Sequence, residues 1–312
     1  MADEKRKAGK KDLKVWLDGK MVGHTEASVP ILTHSLQYGS GIFEGIRAYA
    51  TEEGTSIFRL DDHIRRFMNT AKMHQMDLGY GMEELKGAVI ESIKANGLTS
   101  CYIRPFAFYN NDEIGLATEG KKISVAIAAL PFGAYFGEGK ERGIRCKTAS
   151  WKRIGSDVLP IEAKSSGNYI NSIMANREAR SAGFDEAILL SRDGHIAEGP
   201  GENIFLVENG TLFTPDRGSD ILMGITRDTL IWLARGQGME VKEERLHREM
   251  LYSCDEAFFS GTAAELTPIV EVDGIKVGQG NVGGITETLA TAYSEVVTGK
   301  NKTFAHWLTA VK

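Results

Sequence analysis

Residues 186–210 read EAILLSRDGHIAEGPGENIFLVENG, and this stretch carries the main fold signal of the chain. Two apolar, β-prone runs, Glu186–Leu190 and residues 203–207, alternate with the dipeptides Asp193-Gly194 and Asn209-Gly210. Dipeptides of this kind tolerate the backbone conformations that tight hairpin turns require. The stretch therefore predicts antiparallel strands joined by short turns.

The same turn signal recurs along the chain, at Asp18-Gly19 and Asp273-Gly274. Between the turns, apolar side chains recur at helical spacing in five segments: residues 61–77, 83–95, 169–182, 226–237 and 285–297. Strands and helices do not alternate strictly, as they would in a doubly wound parallel sheet. The pattern predicts a mixed α/β (α+β) fold.

Chain length indicates two domains, because 312 residues exceed the roughly 150 residues of a typical domain. Residues 133–143 (GAYFGEGKERG) combine glycine with charge, as linkers do. We therefore expect an N-terminal α/β domain over residues 13–134, a linker over 135–143 and a C-terminal domain over 144–312. Residues 1–12 are basic and lack apolar side chains that could anchor them, so we expect a disordered tail.

Charge and cysteine content exclude several classes of protein. The net charge is −5, and a chain this acidic is a poor partner for nucleic acid. Its longest apolar run, residues 125–130, is far shorter than the roughly 20 residues of a membrane span, and the first residues lack the apolar core of a signal peptide. Three widely spaced cysteines suit a reducing compartment. We expect a cytoplasmic protein with no membrane, nucleic-acid or metal partner.

A glycine-rich segment invites a nucleotide-binding interpretation that the sequence does not support. Residues 278–283 (GQGNVG) match the GxGxxG pattern between a short strand and a helix. A dinucleotide site also needs another strand with an acidic residue about 20 positions later. Only 29 residues follow Gly283, and none of them fits that strand. We expect a glycine-rich turn here.

A better anion site lies in residues 223–233 (MGITRDTLIWL). Thr226 is suited to cap a helix, and Ile225 could then pack against Leu230. A helix start presents free N–H groups and a partial positive charge, which suit a phosphate group.

Seven collinear motifs resemble those of the branched-chain-amino-acid aminotransferases, fold-type IV enzymes that use pyridoxal 5′-phosphate (PLP). They are residues 38–47 (YGSGIFEGIR), 63–67 (HIRRF), 102–105 (YIRP), 163–169 (AKSSGNY), 198–205 (EGPGENIF), 224–227 (GITR) and 260–268 (SGTAAELTP). The resemblance extends from about residue 14 to the end of the chain. It implies an N-terminal α/β sandwich, a C-terminal α/β pseudo-barrel and a role in branched-chain amino-acid biosynthesis. The implied reaction is ping-pong transfer of the amino group between leucine, isoleucine or valine and 2-oxoglutarate.

The resemblance also implies which residues hold the cofactor. Lys164 would carry PLP as a Schiff base and later move a proton during catalysis. Glu198 would pair with the pyridine nitrogen, and Tyr169 would donate a hydrogen bond to the ring oxygen O3′. The implied phosphate ligands are Arg66, Ile225, Thr226 and Thr262.

The resemblance and the helical pattern predict different locations for the Arg66 side chain. Ile64, Phe67 and Ala71 form an apolar helix face, and Arg66 lies roughly opposite that face. Periodicity alone therefore predicts that Arg66 is solvated. The resemblance places it at the phosphate, where a guanidinium can make a two-point contact.

For the substrate, the resemblance implies an α-carboxylate site formed by Tyr102 and the backbone of Thr262 and Ala263. Arg104 would bind the distal carboxylate of glutamate or 2-oxoglutarate. The implied side-chain pocket consists of Tyr38, Phe43, Gly45 and Leu116. Tyr38 and Leu116 would come from a partner subunit, so we expect a homodimer or a higher homo-oligomer.

Two alternatives share this fold: a D-amino-acid transaminase and an aminodeoxychorismate lyase. Both would keep Lys164 and Glu198 but lack the pair of Tyr102 and Arg104. A binding protein without catalytic activity is a further alternative, and it would be expected to have lost the lysine, which is present.

Overall fold

The computed structural model describes residues 13–133, 135–137 and 139–312. The predicted tail over residues 1–12 lies outside these residues. Contacts divide the chain into two compact units. The first comprises the chain up to residue 132 together with residues 163–167 and 297–312, and the second comprises residues 133–162 and 168–296.

The strands of the first unit form one sheet. They are β1 (Lys14–Leu17), β2 (Lys20–Gly23), β3 (Ile42–Phe43), β4 (Ile46–Thr51), β5 (Gly54–Phe58), β6 (Cys101–Tyr109), β7 (Ile123–Pro131) and, at the end of the chain, β17 (Leu308–Ala310). The strand order is β17-β5-β4-β6-β7-β1-β2, with β3 also paired to β6. Every pairing in this sheet is antiparallel.

Helices cover this sheet and complete the α/β arrangement of the first unit. They are α1 (His34–Tyr38), α2 (Leu60–Met73) and α3 (Met82–Ala95). Helix α3 packs on β1, β6 and β7, while α2 lies against α3 and β3. Ile64 and Phe67 of α2 and Leu85 of α3 are fully buried in the shared core, because their apolar faces turn toward the sheet.

The second unit holds a sheet whose pairings form a ring. Its strands are β8 (Ile144–Lys152), β9 (Glu186–Leu190), β10 (Ile196–Glu198), β11 (Asn203–Glu208), β12 (Thr211–Pro215), β13 (Val241–Glu244), β14 (Glu256–Gly261), β15 (Glu265–Val272) and β16 (Ile275–Lys276). The order is β10-β9-β8-β15-β14-β11-β12-β13, and β10 also pairs with β11. This second pairing of β10 closes six strands into a barrel-like ring.

The helices of the second unit lie around this ring. They are α4 (Gly139–Arg142), α5 (Tyr169–Ser181), α6 (Ile225–Gly236), α7 (Met250–Ser253) and α8 (Gly284–Val297). Helix α5 packs on β8 and β9, and α6 packs on β13 and β14. The predicted mixed α/β fold is confirmed, and the five predicted helical segments match α2, α3, α5, α6 and α8.

The turn dipeptides join antiparallel strands as predicted: β1 to β2, β9 to β10, β11 to β12 and β15 to β16. At Asp18-Gly19 both residues have positive φ, 47° and 88°, which is the backbone of a type I′ turn. The loop at Asp193-Gly194 is longer, and there only Gly194 has positive φ.

Residues 163–167 and 297–312 pack with the first unit, although the sequence places both inside the predicted second domain. Residue Ser165 forms a β-bridge with Ile42 of β3, and β17 adds a strand to the edge of β5. Backbone pairing with the first sheet therefore determines where these segments lie. Among the described residues, no helix is both long and apolar enough to cross a membrane.

Candidate active site

Lys164 lies in a segment whose backbone is hydrogen-bonded to other residues of the first unit. The Lys164 carbonyl accepts a hydrogen bond from the Phe43 N–H at 3.0 Å, and the Lys164 N–H donates to Thr70 Oγ1 at 3.2 Å. The Ser166 N–H donates to the Gly41 carbonyl at 2.8 Å. Contacts to both β3 and α2 thus fix the backbone from which the lysine side chain extends.

The lysine side chain lies beside an aromatic ring that a second cation also contacts. Lys164 Nζ is 5.1 Å from the centroid of the Phe43 ring, and the Arg104 guanidinium carbon is 4.5 Å from the same centroid. Arg104 Nη2 also donates a hydrogen bond to the Tyr102 hydroxyl at 3.0 Å. The structure therefore brings four of the predicted site residues together: Phe43, Tyr102, Arg104 and Lys164.

Arg104 retains an unused donor. Its Nε is buried and has no hydrogen-bond partner among the described residues. A buried donor without an acceptor is unfavourable, so such atoms commonly mark places where a ligand or water binds. The Phe43 ring and the Arg104 guanidinium together suit a ligand that combines apolar surface with an anionic group.

Arg66 forms an ion pair with a carboxylate that the sequence analysis did not assign to the site. Arg66 Nε lies 2.6 Å from Glu44 Oε1, and Arg66 Nη2 lies 2.9 Å from Glu44 Oε2. The Arg66 side chain is only 16% exposed. Arg66 is therefore not solvated as helical periodicity alone predicts, because it pairs with a buried acid.

Tyr38 and Leu116 belong to an exposed apolar surface. Tyr38 is 40% exposed and Leu116 is 80% exposed. The Gly115 N–H donates to the Tyr38 hydroxyl at 3.1 Å, which links helix α1 to the loop that carries Leu116. This hydrogen bond joins Tyr38 to the loop. The hydrogen bonds of the described residues do not join Tyr38 or Leu116 to Lys164.

In the second unit, Glu198 is a buried carboxylate at the end of β10 with a defined set of partners. Arg153 Nε lies 2.7 Å from Glu198 Oε1. Glu198 Oε2 accepts hydrogen bonds from Asn203 Nδ2 and from the Leu222 N–H, both at 3.1 Å. Ion pairing and hydrogen bonds from neighbours favour the ionised form of a buried carboxyl. The Glu198 carboxylate suits a hydrogen bond from a protonated ring nitrogen.

The predicted anion site lies at the start of α6, with one correction. The N-cap is Gly224, with extended backbone angles, and Ile225 and Thr226 are the first two residues of the helix. The prediction that Thr226 is the N-cap is wrong. A side chain at position 224 would place its Cβ 2.0 Å from Asn203 Oδ1, so only glycine fits at the N-cap, and the helix begins at Ile225, before the predicted cap. The first N–H groups of the helix still point away from its body.

The other predicted residues of the second unit occupy the ends of secondary-structure elements. Thr262 and Ala263 form part of the turn between β14 and β15. Tyr169 is the first residue of α5 and is half-buried. Backbone N–H groups at a turn and hydroxyls at element ends are typical ligand-binding groups.

The GxGxxG segment leads into α8, and a protein carboxylate occupies the start of that helix. Glu256 accepts hydrogen bonds from the N–H groups of Ile285 and Thr286, at 3.0 and 2.7 Å. In a dinucleotide site the ligand's pyrophosphate would occupy this position. Glu256 therefore explains why this helix start needs no nucleotide.

Four residues with defined contacts around the predicted site were not assigned roles from the sequence: Glu44, His63, Arg153 and Asn203. Glu44, His63 and Asn203 lie inside the quoted motifs, so their position in a motif was an available signal. Arg153 follows β8 and pairs with Glu198 over 45 residues of chain, and no local pattern indicates that contact.

Comparison with known proteins gives the family. Residues 41–272 match the family model for amino-transferase class IV. The branched-chain-amino-acid aminotransferase of Pseudomonas aeruginosa is 45% identical over 96% of this chain and 97% of its own. The crystal structure of a branched-chain aminotransferase from Thermoproteus uzoniensis with norvaline has a TM-score of 0.92 and 47% identity, covering 96% of this chain and 99% of that one.

A third match includes a bound cofactor. The crystal structure of the branched-chain amino acid aminotransferase from Thermobaculum terrenum in its PLP form has a TM-score of 0.92 and 34% identity, covering 97% of this chain and 99% of that one.

The chain therefore belongs to the class IV aminotransferases. The predicted resemblance to the branched-chain-amino-acid aminotransferases and the prediction of an enzyme are confirmed. Its cofactor is pyridoxal 5′-phosphate, as predicted.

Proposed function

We propose that this enzyme transfers the amino group between the branched-chain L-amino acids leucine, isoleucine and valine and 2-oxoglutarate, by a ping-pong mechanism. The observation that carries the proposal is the contact between Arg104 and Phe43, with the Arg104 guanidinium 4.5 Å from the ring centroid and Lys164 Nζ 5.1 Å from it. An apolar ring and a cation thus lie together beside a primary amine. This combination suits substrates whose side chains are apolar in one half-reaction and acidic in the other.

The residues of the chain fit PLP by the chemistry of their donors and acceptors. When bound, PLP supplies a carbonyl carbon that can carry an amine and a ring that accepts the electrons released at the substrate Cα. Lys164 supplies the primary amine, and its Nζ accepts and returns the proton that moves during transfer. Glu198, which contacts Arg153 and Asn203, accepts a hydrogen bond from the protonated ring nitrogen.

The remaining cofactor contacts follow from the positions of the donors. The N–H groups of Ile225 and Thr226 at the start of α6 suit phosphate oxygens, with added donors from the Thr226 and Thr262 hydroxyls. Arg66 contributes a positive charge to the same phosphate, and Tyr169 donates a hydrogen bond to the ring oxygen O3′. All of these groups bind or orient the cofactor and leave the proton transfer to Lys164.

Substrate binding uses Tyr102, Arg104 and the turn at residues 262–263. The Tyr102 hydroxyl and the backbone of Thr262 and Ala263 bind the α-carboxylate. Phe43 supplies an apolar wall for a branched side chain, and Gly45, which has no side chain, allows the Tyr102 hydroxyl to lie against its backbone. Arg104 pairs with the distal carboxylate of glutamate or 2-oxoglutarate, because its buried Nε has no acceptor among the described residues.

We also propose that the protein is a homodimer or a higher homo-oligomer, in which Tyr38 and Leu116 of one subunit complete the side-chain pocket of the other. Their exposure, 40% and 80%, supports this, since large apolar side chains are unfavourable in water. A cytoplasmic location is supported by the cysteines, because Cys101, Cys146 and Cys254 are all free and buried.

The proposed function is tested with the purified full chain, L-leucine and 2-oxoglutarate, with glutamate formation as the readout. We expect glutamate to form with L-leucine but not with D-leucine or D-alanine. The Lys164→Ala variant should lose nearly all turnover, whereas the matched Lys72→Ala variant, which changes an exposed lysine on α2, should keep it. Turnover of Lys164→Ala near the wild-type rate, or a preference for D-amino acids, would contradict the proposal.

A further inference from the structure

Glu44 is a completely buried carboxylate that contacts Arg66 through both of its oxygens. Oε1 accepts a hydrogen bond from Arg66 Nε at 2.6 Å, and Oε2 accepts one from Arg66 Nη2 at 2.9 Å. The Glu44 side chain is 0% exposed. A two-point contact of this kind fixes the plane of the guanidinium as well as its position. Arg66 is therefore oriented by Glu44 before any ligand binds.

His63 and Gly45 complete the environment of the same carboxylate. His63 Nδ1 lies 2.8 Å from Glu44 Oε2, and the Gly45 N–H donates to that oxygen at 3.1 Å. Burial opposes ionisation of Glu44, but the Arg66 charge and the hydrogen bonds from His63 and Arg66 outweigh it, so the pKa of Glu44 lies well below its ordinary value. Glu44 is thus a carboxylate, and all of its contacts come from donors.

His63 contributes a hydrogen bond but no second positive charge. Burial lowers the pKa of His63, and the nearby Arg66 and Lys164 charges act in the same direction, although Glu44 opposes them. The imidazole is neutral at pH 7, and its Nδ1–H donates a hydrogen bond to the Glu44 carboxylate. Arg66 is consequently the cation that balances Glu44.

We propose that Glu44 is a positioning residue that orients Arg66 to bind the cofactor phosphate. Glu44 engages Nε and Nη2 of the guanidinium, and the two contacts together fix the direction in which the guanidinium is presented to a phosphate oxygen. Glu44 itself touches neither cofactor nor substrate. The inference rests on the proposed function in one respect, the assignment of Arg66 to the phosphate.

The charge and the positioning effect of Glu44 have opposite consequences for phosphate binding. A carboxylate beside the site repels a phosphate dianion, so its charge alone weakens phosphate binding. If charge were its only effect, replacing Glu44 with a neutral residue would strengthen the binding of PLP. If Glu44 orients Arg66, the same replacement weakens it. The sign of the change therefore distinguishes the two effects.

The experiment compares PLP with pyridoxal, which has the same ring and aldehyde but no phosphate. Dissociation constants for both are measured on the full chain freed of cofactor by treatment with hydroxylamine and dialysis, for wild type and Glu44→Gln. We expect the PLP dissociation constant to rise on the order of tenfold to a hundredfold in the variant, with little change for pyridoxal. Equal weakening of both ligands, or tighter PLP binding, would overturn the proposal.

Matched variants separate positioning from damage to the fold. Asp62→Asn removes an acid of α2 that pairs with Arg59 and Arg65, and it should leave both dissociation constants unchanged. In an Arg66→Gln background, Glu44→Gln should have little further effect on PLP binding, because its target is absent. A full additional loss in that background would overturn the proposal.

Glu44→Asp provides a second readout if Glu44→Gln does not fold. It keeps the charge but shortens the side chain by one methylene, so it should reduce the preference for PLP over pyridoxal by a smaller factor than Glu44→Gln. An unchanged preference would show that orientation of Arg66 is not the role of Glu44. Failure of the proposed function gives a different result, the absence of glutamate formation from L-leucine in wild type. Failure of the Arg66 assignment would appear as an unchanged preference for PLP over pyridoxal in Arg66→Gln alone.

Discussion

A Cβ atom at position 45 would lie 2.0 Å from the Tyr102 hydroxyl oxygen, so Gly45 and Tyr102 are in contact with no space for another atom. The backbone of neighbouring residues sets this spacing, because Arg47 of β4 pairs directly with Tyr102 of β6. The same hydroxyl accepts a hydrogen bond from Arg104 Nη2 at 3.0 Å. Glycine at position 45 therefore determines where both Tyr102 and Arg104 lie.

Gly45→Ala should displace the Tyr102 ring and reduce activity. Inserting a methyl group into a closely packed site typically costs about 1–3 kcal/mol. We expect kcat/KM for all amino-acid substrates to fall, with most of the loss in KM if Tyr102 binds the substrate α-carboxylate as proposed. The matched Gly87→Ala variant lies inside α3 with no atom within 4 Å of its Cβ, and it should raise stability by about 0.5–1 kcal/mol without affecting KM. Steady-state kinetics and thermal melting of both variants check this, and an unchanged KM for Gly45→Ala would contradict it.

The local elements of this fold were predictable from sequence because short-range chemistry determines them. The turn at Asn209-Gly210 needs two residues of positive φ, 50° and 77°, and few other dipeptides adopt that backbone. The helices follow from apolar periodicity, and α3 spans Met82–Ala95 where the pattern predicts residues 83–95. Because each of these signals lies within about 15 residues of sequence, each can be interpreted without knowing the tertiary structure.

The contacts of the site were less predictable because they join distant segments. Glu44 and Arg66 are 22 residues apart, and a helical pattern assigns a charged residue opposite the apolar face to solvent. The pairing of β10 with both β9 and β11, which closes the barrel-like ring, likewise has no local signature. The resemblance to a family predicts that Arg66 is a site residue, whereas only the structure shows the acid that holds it.

Glu198→Gln should reduce turnover while leaving cofactor bound. The substitution removes the negative charge that we propose stabilises a proton on the ring nitrogen, and it leaves Arg153 buried without its ion pair. Breaking a buried pair in this way typically costs about 3–5 kcal/mol, so the melting temperature should fall as well. Turnover, bound PLP and melting are measured together, with Glu295→Gln on the exposed face of α8 as the control. An unchanged kcat would show that Glu198 does not act on the ring nitrogen.

Acidification should destabilise the protein through His63, which is buried, and His74, which is half-buried. Burial lowers the pKa of both His63 and His74 below the ordinary value of 6.5. As pH falls below about 6.5, the unfolded chain binds these protons first, so the free energy of unfolding decreases by up to about 1.4 kcal/mol per pH unit for each proton. This loss continues until the pH passes the folded-state pKa.

Thermal melting between pH 7.5 and pH 5 measures this effect. His63→Gln removes one of the two groups, so its melting temperature should depend less steeply on pH than that of wild type. His24→Gln changes an exposed histidine and should leave the slope as it is. If His63→Gln and wild type show the same slope, His63 does not remain neutral in the folded protein.

Arg104→Ala should impair acidic substrates far more than branched-chain substrates. Leucine needs only apolar walls, which Phe43 supplies, but glutamate would leave its distal carboxylate unpaired against that ring, and this is unfavourable. Arg104 lies over the ring, and its buried Nε has no partner among the described residues. The Arg104 guanidinium can therefore donate hydrogen bonds to that carboxylate. Removing one partner of a buried charge pair typically costs about 2–5 kcal/mol, or roughly a 30- to several-thousand-fold loss. We expect kcat/KM for glutamate and 2-oxoglutarate to fall within this range, with a much smaller loss for leucine and isoleucine.

Both half-reactions must be measured separately to interpret this variant. Arg104 also donates a hydrogen bond to Tyr102, so its loss could disturb the α-carboxylate site and weaken every substrate alike. Tyr102→Phe provides the comparison, because it removes that hydrogen bond while leaving the Arg104 charge in place. Tyr102→Phe should affect leucine and glutamate by similar factors, whereas Arg104→Ala should separate them. Equal losses for leucine and glutamate in Arg104→Ala would mean that Arg104 supports the shape of the site and does not recognise the acidic side chain.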